Sequence, residues 1–147
     1  MLYNLGMKCV VITGSTKGFG YELAKKFKSL GYNVVISGTN TNRLKEASIE
    51  LNAIKSKSKA ITVRCDVSDS QEVDNLWNRA IKEFDEVTIW INNAGINQAN
   101  KPIYLLSNEE IELLLDIDLK GAIFGSKTAF NGMKKQGYGK IFNVEGF

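Results

Sequence analysis

The sequence contains no histidine, only two cysteines and a single proline. The absence of histidine excludes Ser-His-Asp and Cys-His catalytic arrangements and every metal site with imidazole ligands. Cys9 and Cys65 each adjoin an apolar, strand-like run, which predicts buried free thiols and neither a disulfide nor a metal pair. Any chemistry must therefore rest on tyrosine, lysine, serine, asparagine or carboxylate side chains, and we expect no metal site.

Long apolar runs and blocks of one charge are also missing. The longest apolar stretches have the length of strands, and residues 1–6 lack the basic and apolar regions of a signal peptide, so we expect no membrane partner and a cytoplasmic location. The net charge of +3 comes from interspersed acidic and basic residues, which argues against a nucleic-acid partner. With 44% hydrophobic content, residues 1–147 are predicted to form a single domain around one core.

A glycine-rich turn joins an apolar run to a helical pattern near the start of the chain. Residues 10–12 are β-branched and apolar, as in a strand buried on both faces, and Gly14, Gly18 and Gly20 follow. Glycines there permit a sharp turn and the close approach of a ligand, although a plain tight turn would look the same on its own. The next apolar residues have helical spacing, namely Phe19, Leu23, Phe27 and Leu30. They predict a helix whose N-terminus faces the turn and attracts an anion.

Strands and helices alternate along the rest of the chain. The predicted strands cover residues 10–12, 33–37, 60–64, 87–91 and 140–144. The predicted helices cover 19–30, 44–54, 73–84 and about 107–133, with Ser68 or Asp69 as cap of the third and a Ser107/Glu110 capping box at the fourth. Short connections between alternating elements require right-handed crossovers and a parallel sheet. We therefore predict an α/β fold, a doubly wound, Rossmann-type sheet of five strands with helices on both faces.

Small and polar residues fall where four of the predicted strands end. In doubly wound sheets, ligands bind at the carboxyl ends of the strands. The residues at these ends are Gly14, then Gly38 with Thr39, then Asp66, and finally Asn92 to Gly95. Their coincidence predicts a cofactor cleft at this edge of the sheet.

The residue that ends the second strand bears on which dinucleotide fits. An acidic side chain there would bind a ribose 2′-hydroxyl, but this chain has Gly38, followed by Thr39 and Asn40. Lys17 in the glycine turn could reach a 2′-phosphate as a point charge, with Thr39 as a hydroxyl donor. An ordinary surface lysine is the alternative for Lys17.

The ends of the third and fourth strands carry groups that suit a flat ligand. Asp66 could accept a hydrogen bond from an adenine amino group while Val67 presents its backbone to the ring, although a turn residue before Ser68 is an equally good interpretation of Asp66. In the segment 92–95, two amide side chains precede two small residues. This pattern suits tethering of neighbouring strands and close approach of a ligand, with a plain turn as the alternative.

Together these motifs resemble the short-chain dehydrogenase/reductase family from end to end. With Thr13 before it, the turn reads Thr-Gly-x-x-x-Gly-x-Gly, and Asp66-Val67 and Asn-Asn-Ala-Gly follow in the family's order and spacing. The resemblance implies a nicotinamide dinucleotide cofactor, NADP more than NAD because Lys17 occurs with Thr39. The cofactor-binding residues that it implies are Gly14, Ser15, Thr16, Lys17, Gly18, Phe19, Gly20, Thr39, Asn40, Asp66, Val67, Asn93, Ala94 and Gly95. Residues 90–95 and 141–143 also resemble the chlorophyll b reductase branch of the family.

The family's catalytic set is only partly matched. It consists of Asn, Ser, Tyr and Lys, with the tyrosine as general acid/base and the lysine lowering its pKa. Asp118 stands at the Asn position. We identify no catalytic serine or Tyr-x-x-x-Lys in the chain, because the family continues towards both beyond the position of Phe147, and Tyr138 is interpreted as a turn residue.

Asp118 also falls within an apolar stripe of the long helix. A carboxylate in such a stripe needs a bond to a backbone group or to water. The stripe consists of Ile111, Leu114, Leu115, Leu119 and Ala122. Asp118 is therefore expected either to keep such a contact or to mark lost activity.

Three hypotheses remain open at the level of the sequence. The first is an NADP-dependent oxidoreductase that moves hydride between nicotinamide and a carbonyl or alcohol substrate, present as its cofactor-binding portion without the C-terminal part of the family fold. The second is a non-catalytic dinucleotide-binding or interaction module from a truncated gene. The third is another Rossmann-type enzyme, such as a methyltransferase that binds adenosylmethionine, against which the Asn-Asn-Ala-Gly segment argues.

The last predicted strand leads to an expectation about association. It would form an edge of the sheet, where Ile141, Phe142 and Val144 lack part of their cover. Exposed apolar edges pair with other chains. We therefore expect a homo-oligomer that buries residues from the helix at 107–133 and from the segment 140–147.

Overall fold

Strands and helices alternate through residues 7–97 and 101–145, which are the residues that the computed structural model describes. The strands are β1 (Cys9–Ile12), β2 (Asn33–Gly38), β3 (Ala60–Arg64), β4 (Ile89–Asn92) and β5 (Lys140–Asn143). The helices are α1 (Gly18–Ser29), α2 (Thr41–Ala53), α3 (Ser70–Phe84), α4 (Asn108–Leu114) and α5 (Gly121–Gln136), with a 3₁₀ turn at Ile103–Leu105 and a π-helical segment at Leu115–Lys120. All strand pairs are parallel, in one five-stranded sheet of order β3-β2-β1-β4-β5. The predicted fold class is confirmed.

Alternate residues of β1 face two different helical layers. Cys9 and Val11 belong to a core cluster that includes residues of α3 and α5, while Val10 and Ile12 belong to a cluster that includes residues of α1 and α2. All four side chains are fully buried. A strand that is covered on both faces has apolar residues at every position, which is why β1 and β2 are almost continuous β-branched runs.

Helix α1 turns a different face to the sheet from the one that its large apolar residues predict. Phe19 and Leu30 are 61% and 59% exposed, and the buried positions are Gly20, Ala24 and Lys28. Small side chains on this face bring α1 close to the sheet. The Nζ of Lys28 donates to the carbonyl of Ser58 at 2.7 Å, and burial lowers the pKa of this amine. The predicted stripe was therefore wrong in its outer members.

The predicted long helix begins as expected and then changes its hydrogen-bond pattern. Ser107 and Glu110 form the predicted capping box, with distances of 3.2 Å and 2.7 Å between side chain and backbone. The π-helical segment then interrupts the helix. Because a π turn bonds residue i to i+5, a spacing of 3.6 residues no longer predicts one face. The predicted apolar stripe is accordingly wrong, since Ile111, Leu115 and Leu119 are 38%, 50% and 54% exposed.

The two strands at the end of the chain differ slightly from their predicted bounds. Strand β4 begins at Ile89 because the backbone of Val87 bonds to a side chain, donating to Gln136 Oε1 at 3.2 Å and accepting from Gln136 Nε2 at 3.1 Å. Among the described strands, β5 pairs only with β4, and Phe142 and Val144 are 51% and 41% exposed. The predicted apolar edge is thus present. Across the two described stretches, no helix combines the length and the apolar character that a membrane crossing needs.

Candidate functional site

The carboxyl ends of β1, β2, β3 and β4 open onto one cleft of about 640 Å³. It lies where the strand order reverses between β1 and β4, the position at which doubly wound sheets bind ligands. The predicted cofactor-binding residues that line it are Gly14, Thr16, Lys17, Gly18, Phe19, Gly20, Thr39, Asn40, Asp66, Val67, Asn93, Ala94 and Gly95. The lining is completed by Gly38, Arg43, Cys65, Ile96, Asn97 and Ile117. The structure thus brings together groups that are up to about 100 residues apart in the chain.

The glycine turn forms the central part of this cleft. Gly14 and Gly18 have φ angles of 58° and 60°, which L side chains rarely adopt. A Cβ on Gly14 would also lie 2.5 Å from the Cα of Ala94, so that the end of β4 packs directly against the turn. A Cβ on Gly18 would meet no atom within 4 Å, because this part of the turn faces open space. The turn therefore leaves room for a ligand to lie against its backbone.

Hydrogen bonds between Thr13 and Asn93 hold the turn against the end of β4. Thr13 Oγ1 accepts from the backbone N–H groups of Asn93 and Ala94, each at 3.0 Å. The Nδ2 of Asn93 donates to the carbonyls of Thr13 and Gly14, also at 3.0 Å. The predicted tethering role of Asn93 is confirmed. These donor groups of Asn93 point to the protein backbone, which fixes the walls of the cleft.

Ser15 is the one predicted cofactor-binding residue that does not line the cleft. It is fully buried. Its Oγ donates to the carbonyl of Ile12 at 2.6 Å and accepts from the N–H of Ser37 at 3.1 Å. Its side chain therefore connects the turn to β2 beneath the cleft, and its role as a cofactor-binding residue stays a prediction.

The N-terminus of α1 differs from those of the next three helices. Side chains cap the starts of α2, α3 and α4, and Asp69 is the cap of α3. Lys17, the N-cap residue of α1, makes no such bond. The first residues of α1 are Gly18, Phe19 and Gly20, which line the cleft. Free N–H groups at a helix start attract anions, so this part of the cleft fits the pyrophosphate of a dinucleotide.

At the β3 end of the cleft, Asp66 forms the turn that was one of its two predicted interpretations, and its contact with adenine stays a prediction. Its Oδ1 accepts from the N–H and the hydroxyl of Ser68, at 3.0 Å and 2.7 Å, which closes a turn. Its own N–H donates to Glu72 Oε2 at 2.7 Å, and Glu72 also binds Arg64. Asp66 is nevertheless half-buried in the lining of the cleft beside Val67. The turn holds its carboxylate at this edge.

Arg43 is a lining residue that the sequence reasoning missed. It lies in the first turn of α2, and its backbone N–H donates to the Oδ1 of Asn40, the N-cap, at 3.0 Å. This bond fixes the start of α2 next to Thr39. The sequence could have predicted this position. A helix that begins at residue 41 places Arg43 one turn from Thr39 and Asn40. Arg43 adds a second cation, besides Lys17, to the lining of the cleft.

Asn92 anchors β4 to its other neighbours. Its Oδ1 accepts from Trp90 Nε1 at 2.7 Å, and its Nδ2 lies 2.8 Å from Asn143 Oδ1 and 2.9 Å from Ser126 Oγ. The hypothetical Cβ of Gly125 would lie 2.0 Å from Asn92 Oδ1, so that glycine is needed on α5 at this contact. This network confirms that the predicted amide pair tethers neighbouring strands.

Asp118 lies in the π-helical segment beside the β4 end of the cleft. Its side chain is exposed, and Oδ1 accepts from the backbone N–H of Ile96 at 2.8 Å. The expectation of a backbone contact is confirmed, and the expectation of a buried apolar stripe around it is wrong. Asp118 thereby supports the segment that follows Gly95.

Tyr21 and Lys25 have the Tyr-x-x-x-Lys spacing. The prediction that the chain lacks this spacing is therefore wrong. The pair lies on α1 outside the lining of the cleft. Lys25 Nζ is 5.3 Å from the centre of the Tyr21 ring, and the Tyr21 hydroxyl donates to Glu50. Burial and the Glu50 carboxylate raise the pKa of Tyr21, whereas a catalytic tyrosine needs a lowered one. This pair does not supply the family's acid.

Tyr138 and the cysteines also behave as structural groups. Tyr138 precedes β5 and donates to Glu86, which raises its pKa to about 12. Cys9 and Cys65 are buried free thiols, as predicted, and burial raises the pKa of each to about 12. Thiols with such pKa values are poor nucleophiles at neutral pH.

The fold and the cleft are those of a dinucleotide-binding protein, and comparison with known proteins identifies its family. A family model described as short chain dehydrogenase matches residues 8–146. The chain belongs to the short-chain dehydrogenase family.

Curated relatives of this chain are oxidoreductases by name. A probable chlorophyll(ide) b reductase of Arabidopsis thaliana is 33% identical, and the match covers 98% of this chain and 32% of that protein. A chlorophyll(ide) b reductase of Oryza sativa subsp. japonica is 36% identical over 93% of this chain and 40% of that protein. A diacetyl reductase of Staphylococcus epidermidis is 34% identical over 93% of this chain and 52% of that protein. The chain therefore spans about a third to a half of the length of these relatives.

Solved structures show the same fold. A serine dehydrogenase from Escherichia coli has a TM-score of 0.81 at 27% identity, over 92% of this chain and 60% of that one. A metagenomic short-chain oxidoreductase in complex with NADP has a TM-score of 0.86 at 24% identity, over 95% of this chain and 62% of that one. The chain therefore shares its fold with both of these structures.

Proposed function

We propose that this chain is the cofactor-binding portion of an NADP(H)-dependent oxidoreductase. When bound, the cofactor would supply the hydride that passes to or from a carbonyl or alcohol substrate. The observation that carries the proposal is the continuous cleft that runs from Arg43 and Thr39, past the uncapped start of α1, to Ile96 and Ile117. Its length and chemistry suit an elongated, anionic dinucleotide, and its position is the one that the fold class uses.

The β2 end of the cleft supports a preference for NADP(H) over NAD(H). A ribose 2′-hydroxyl is favoured by a carboxylate at the end of β2, and this chain has Gly38 there. Thr39 follows this strand end, and Lys17 and Arg43 line the same cleft. A lysine binds a phosphate as a point charge and an arginine through a planar fork, so these groups would hold a 2′-phosphate.

At the other end, the described residues offer positioning groups, and no proton donor of the family's kind is among them. Asn93 and Asp118 hold backbone segments, and among the described residues no tyrosine lines the cleft. In the oxidoreductase that we propose, a residue outside the described part of the chain would move the substrate proton.

Two observations favour a second candidate function, namely that no described tyrosine lines the cleft and that Asp118 stands at the position of the family's Asn. With a carboxylate at the position of the family's Asn, the chain would be a dinucleotide-binding module without catalysis. Cofactor binding is common to both candidates, and reading the gene past the codon for Phe147 separates them.

Self-association belongs to the same proposal. The uncovered edge of β5 and the exposed apolar residues of the helical segment 108–136 favour a homo-oligomer that covers both. Leu115, Leu119, Ile123 and Phe130 are at least half exposed on this segment. The cytoplasmic location stays a prediction. Because some relatives are described as chloroplastic, the compartment needs an experiment of its own.

Titration of the purified chain with NADPH, NADH and adenosylmethionine tests the proposal. Trp90 is buried and bonded to Asn92 at the end of β4, so its fluorescence is suited to report on occupancy of the cleft. We expect saturable binding of NADPH, weaker binding of NADH and none of adenosylmethionine. Binding of adenosylmethionine without NADPH, or of none of the three, would contradict the proposal.

A further inference from the structure

Asp118 places a negative charge at one particular end of the cleft. Its Oδ1 lies 2.8 Å from the N of Ile96 and would lie 3.4 Å from a Cβ on Gly95. Gly95, Ile96 and Ile117 line the cleft, and Ile117 is adjacent to Asp118 in the chain. Within residues 7–97 and 101–145, no cation forms an ion pair with Asp118. The charge is therefore not neutralised by a neighbour in this part of the chain.

The orientation of a bound dinucleotide follows from the other groups in the cleft. Thr39 and Arg43 follow β2 and Asp66 follows β3, and these groups suit the adenosine half and its 2′-phosphate. The start of α1 suits the pyrophosphate, which leaves the β4 end for the nicotinamide half. Asp118 is on that side.

We propose that Asp118 is a specificity-determining residue that biases the cleft toward the oxidised form of the cofactor. This inference rests on the proposed function. The nicotinamide ring carries one positive charge when oxidised and none when reduced, whereas the phosphates and the adenosine are identical in both forms. A carboxylate near the ring attracts only the charged form, so it changes the ratio of the two affinities and not their common part.

The size of the effect follows from Coulomb's law. If the ring nitrogen of a bound cofactor lies about 8 Å from the carboxylate, an effective dielectric constant of about 20–40 gives a change of roughly 5- to 30-fold in the equilibrium constant. A neutral amide in place of the carboxylate removes this contribution. It leaves the bond to Ile96 intact, since an amide oxygen also accepts from an N–H.

Calorimetric titration of the full chain with NADP⁺ and NADPH measures the ratio directly. We expect Asp118→Asn to weaken NADP⁺ relative to NADPH by about 5- to 30-fold. The matched control is Asp116→Asn, which removes the same charge from the same π-helical segment. The carboxylate of Asp116 is paired with Lys120 at 2.8 Å, whereas that of Asp118 accepts from Ile96 in the lining of the cleft, so the loss of the Asp116 charge is expected to change the ratio less. An unchanged ratio in Asp118→Asn, or equal changes in both variants, would overturn the inference.

A measurement on the unmodified chain covers the case in which a variant fails to fold. Salt screens the phosphate contacts of both cofactor forms alike, and only the contact with the charged ring differs between them. The ratio of affinities is therefore expected to move toward NADPH as ionic strength rises, and a constant ratio would overturn the inference. If the unmodified chain binds neither form, the proposed function itself fails. If it binds both and only the ratio is insensitive, the proposed function stands and the role of Asp118 is rejected.

Discussion

Replacing Thr13 with valine is expected to destabilise the chain and to weaken cofactor binding together, because Thr13 joins the ends of β1 and β4. Its side chain is 2% exposed and accepts from the N–H groups of Asn93 and Ala94, each at 3.0 Å. Valine has nearly the same shape but offers no acceptor. Each buried donor that loses its partner costs about 1–3 kcal/mol, and because Asn93 and Ala94 are only half-buried we expect about 2–4 kcal/mol in total.

Thermal unfolding followed by circular dichroism measures this cost. For a chain of this size, about 2–4 kcal/mol corresponds to a fall in Tm of roughly 5–12 °C. Thr13→Ser keeps the hydroxyl and is expected to recover most of the loss. Thr128→Val is the matched control, since Thr128 donates to Asp74 at 2.6 Å on the surface, where such a bond is worth about 1 kcal/mol or less. Equal Tm values for Thr13→Val and Thr128→Val would refute the reasoning.

Four further predictions concern the cofactor, catalysis and association. Lys17→Ala is expected to weaken NADPH far more than NADH, by roughly 1.5–3 kcal/mol for one charge-assisted contact, and equal losses, or an equal effect of the control Lys26→Ala on the same helix, would count against it. Arg43→Ala is expected to act in the same direction in the same titrations. The purified 147-residue chain is expected to show no turnover with simple ketones or aldehydes, because general acid–base catalysis contributes about 10²- to 10⁴-fold and no described tyrosine lines the cleft; steady oxidation of NADPH by a chain of confirmed mass would disprove this. Sedimentation at tens of micromolar is expected to give a dimer or larger species, and a well-behaved monomer would show that the exposed edge of β5 does not associate.

The sheet was predictable because its strands are short runs of β-branched residues separated by helical patterns of sufficient length. Residues 10–12 and 33–37 are too short for a helix, and their buried, mostly β-branched side chains fit a strand. The cleft was predictable for a related reason, since parallel strands bring their carboxyl ends to one edge and so unite Gly14, Thr39, Asp66 and Asn93.

The remaining features depend on contacts that a linear pattern does not contain. The burial of Ser15 follows from its bonds to Ile12 and Ser37, which belong to two different strands. The π-helical segment changes which side of the helix Asp118 occupies, and no spacing rule for an α-helix registers that change. Arg43 was not predicted because it lies beyond the end of β2. The first turn of α2 nevertheless places it in the lining of the cleft.

The double burial of β1 has a consequence for how the sheet finds its alignment. In a strand with one wet face, a slip by one residue would expose apolar side chains and bury polar ones, which makes the error costly. Here Cys9, Val10, Val11 and Ile12 are all buried, so a slip would merely exchange one apolar side chain for another. The polar bonds of Thr13 and Asn93, at the end of the strand, are what distinguish the correct alignment from its neighbours. The groups that shape the cleft therefore also fix the register of the sheet. A substitution made there to alter ligand binding is expected to disturb the pairing of β1 with β4 as well.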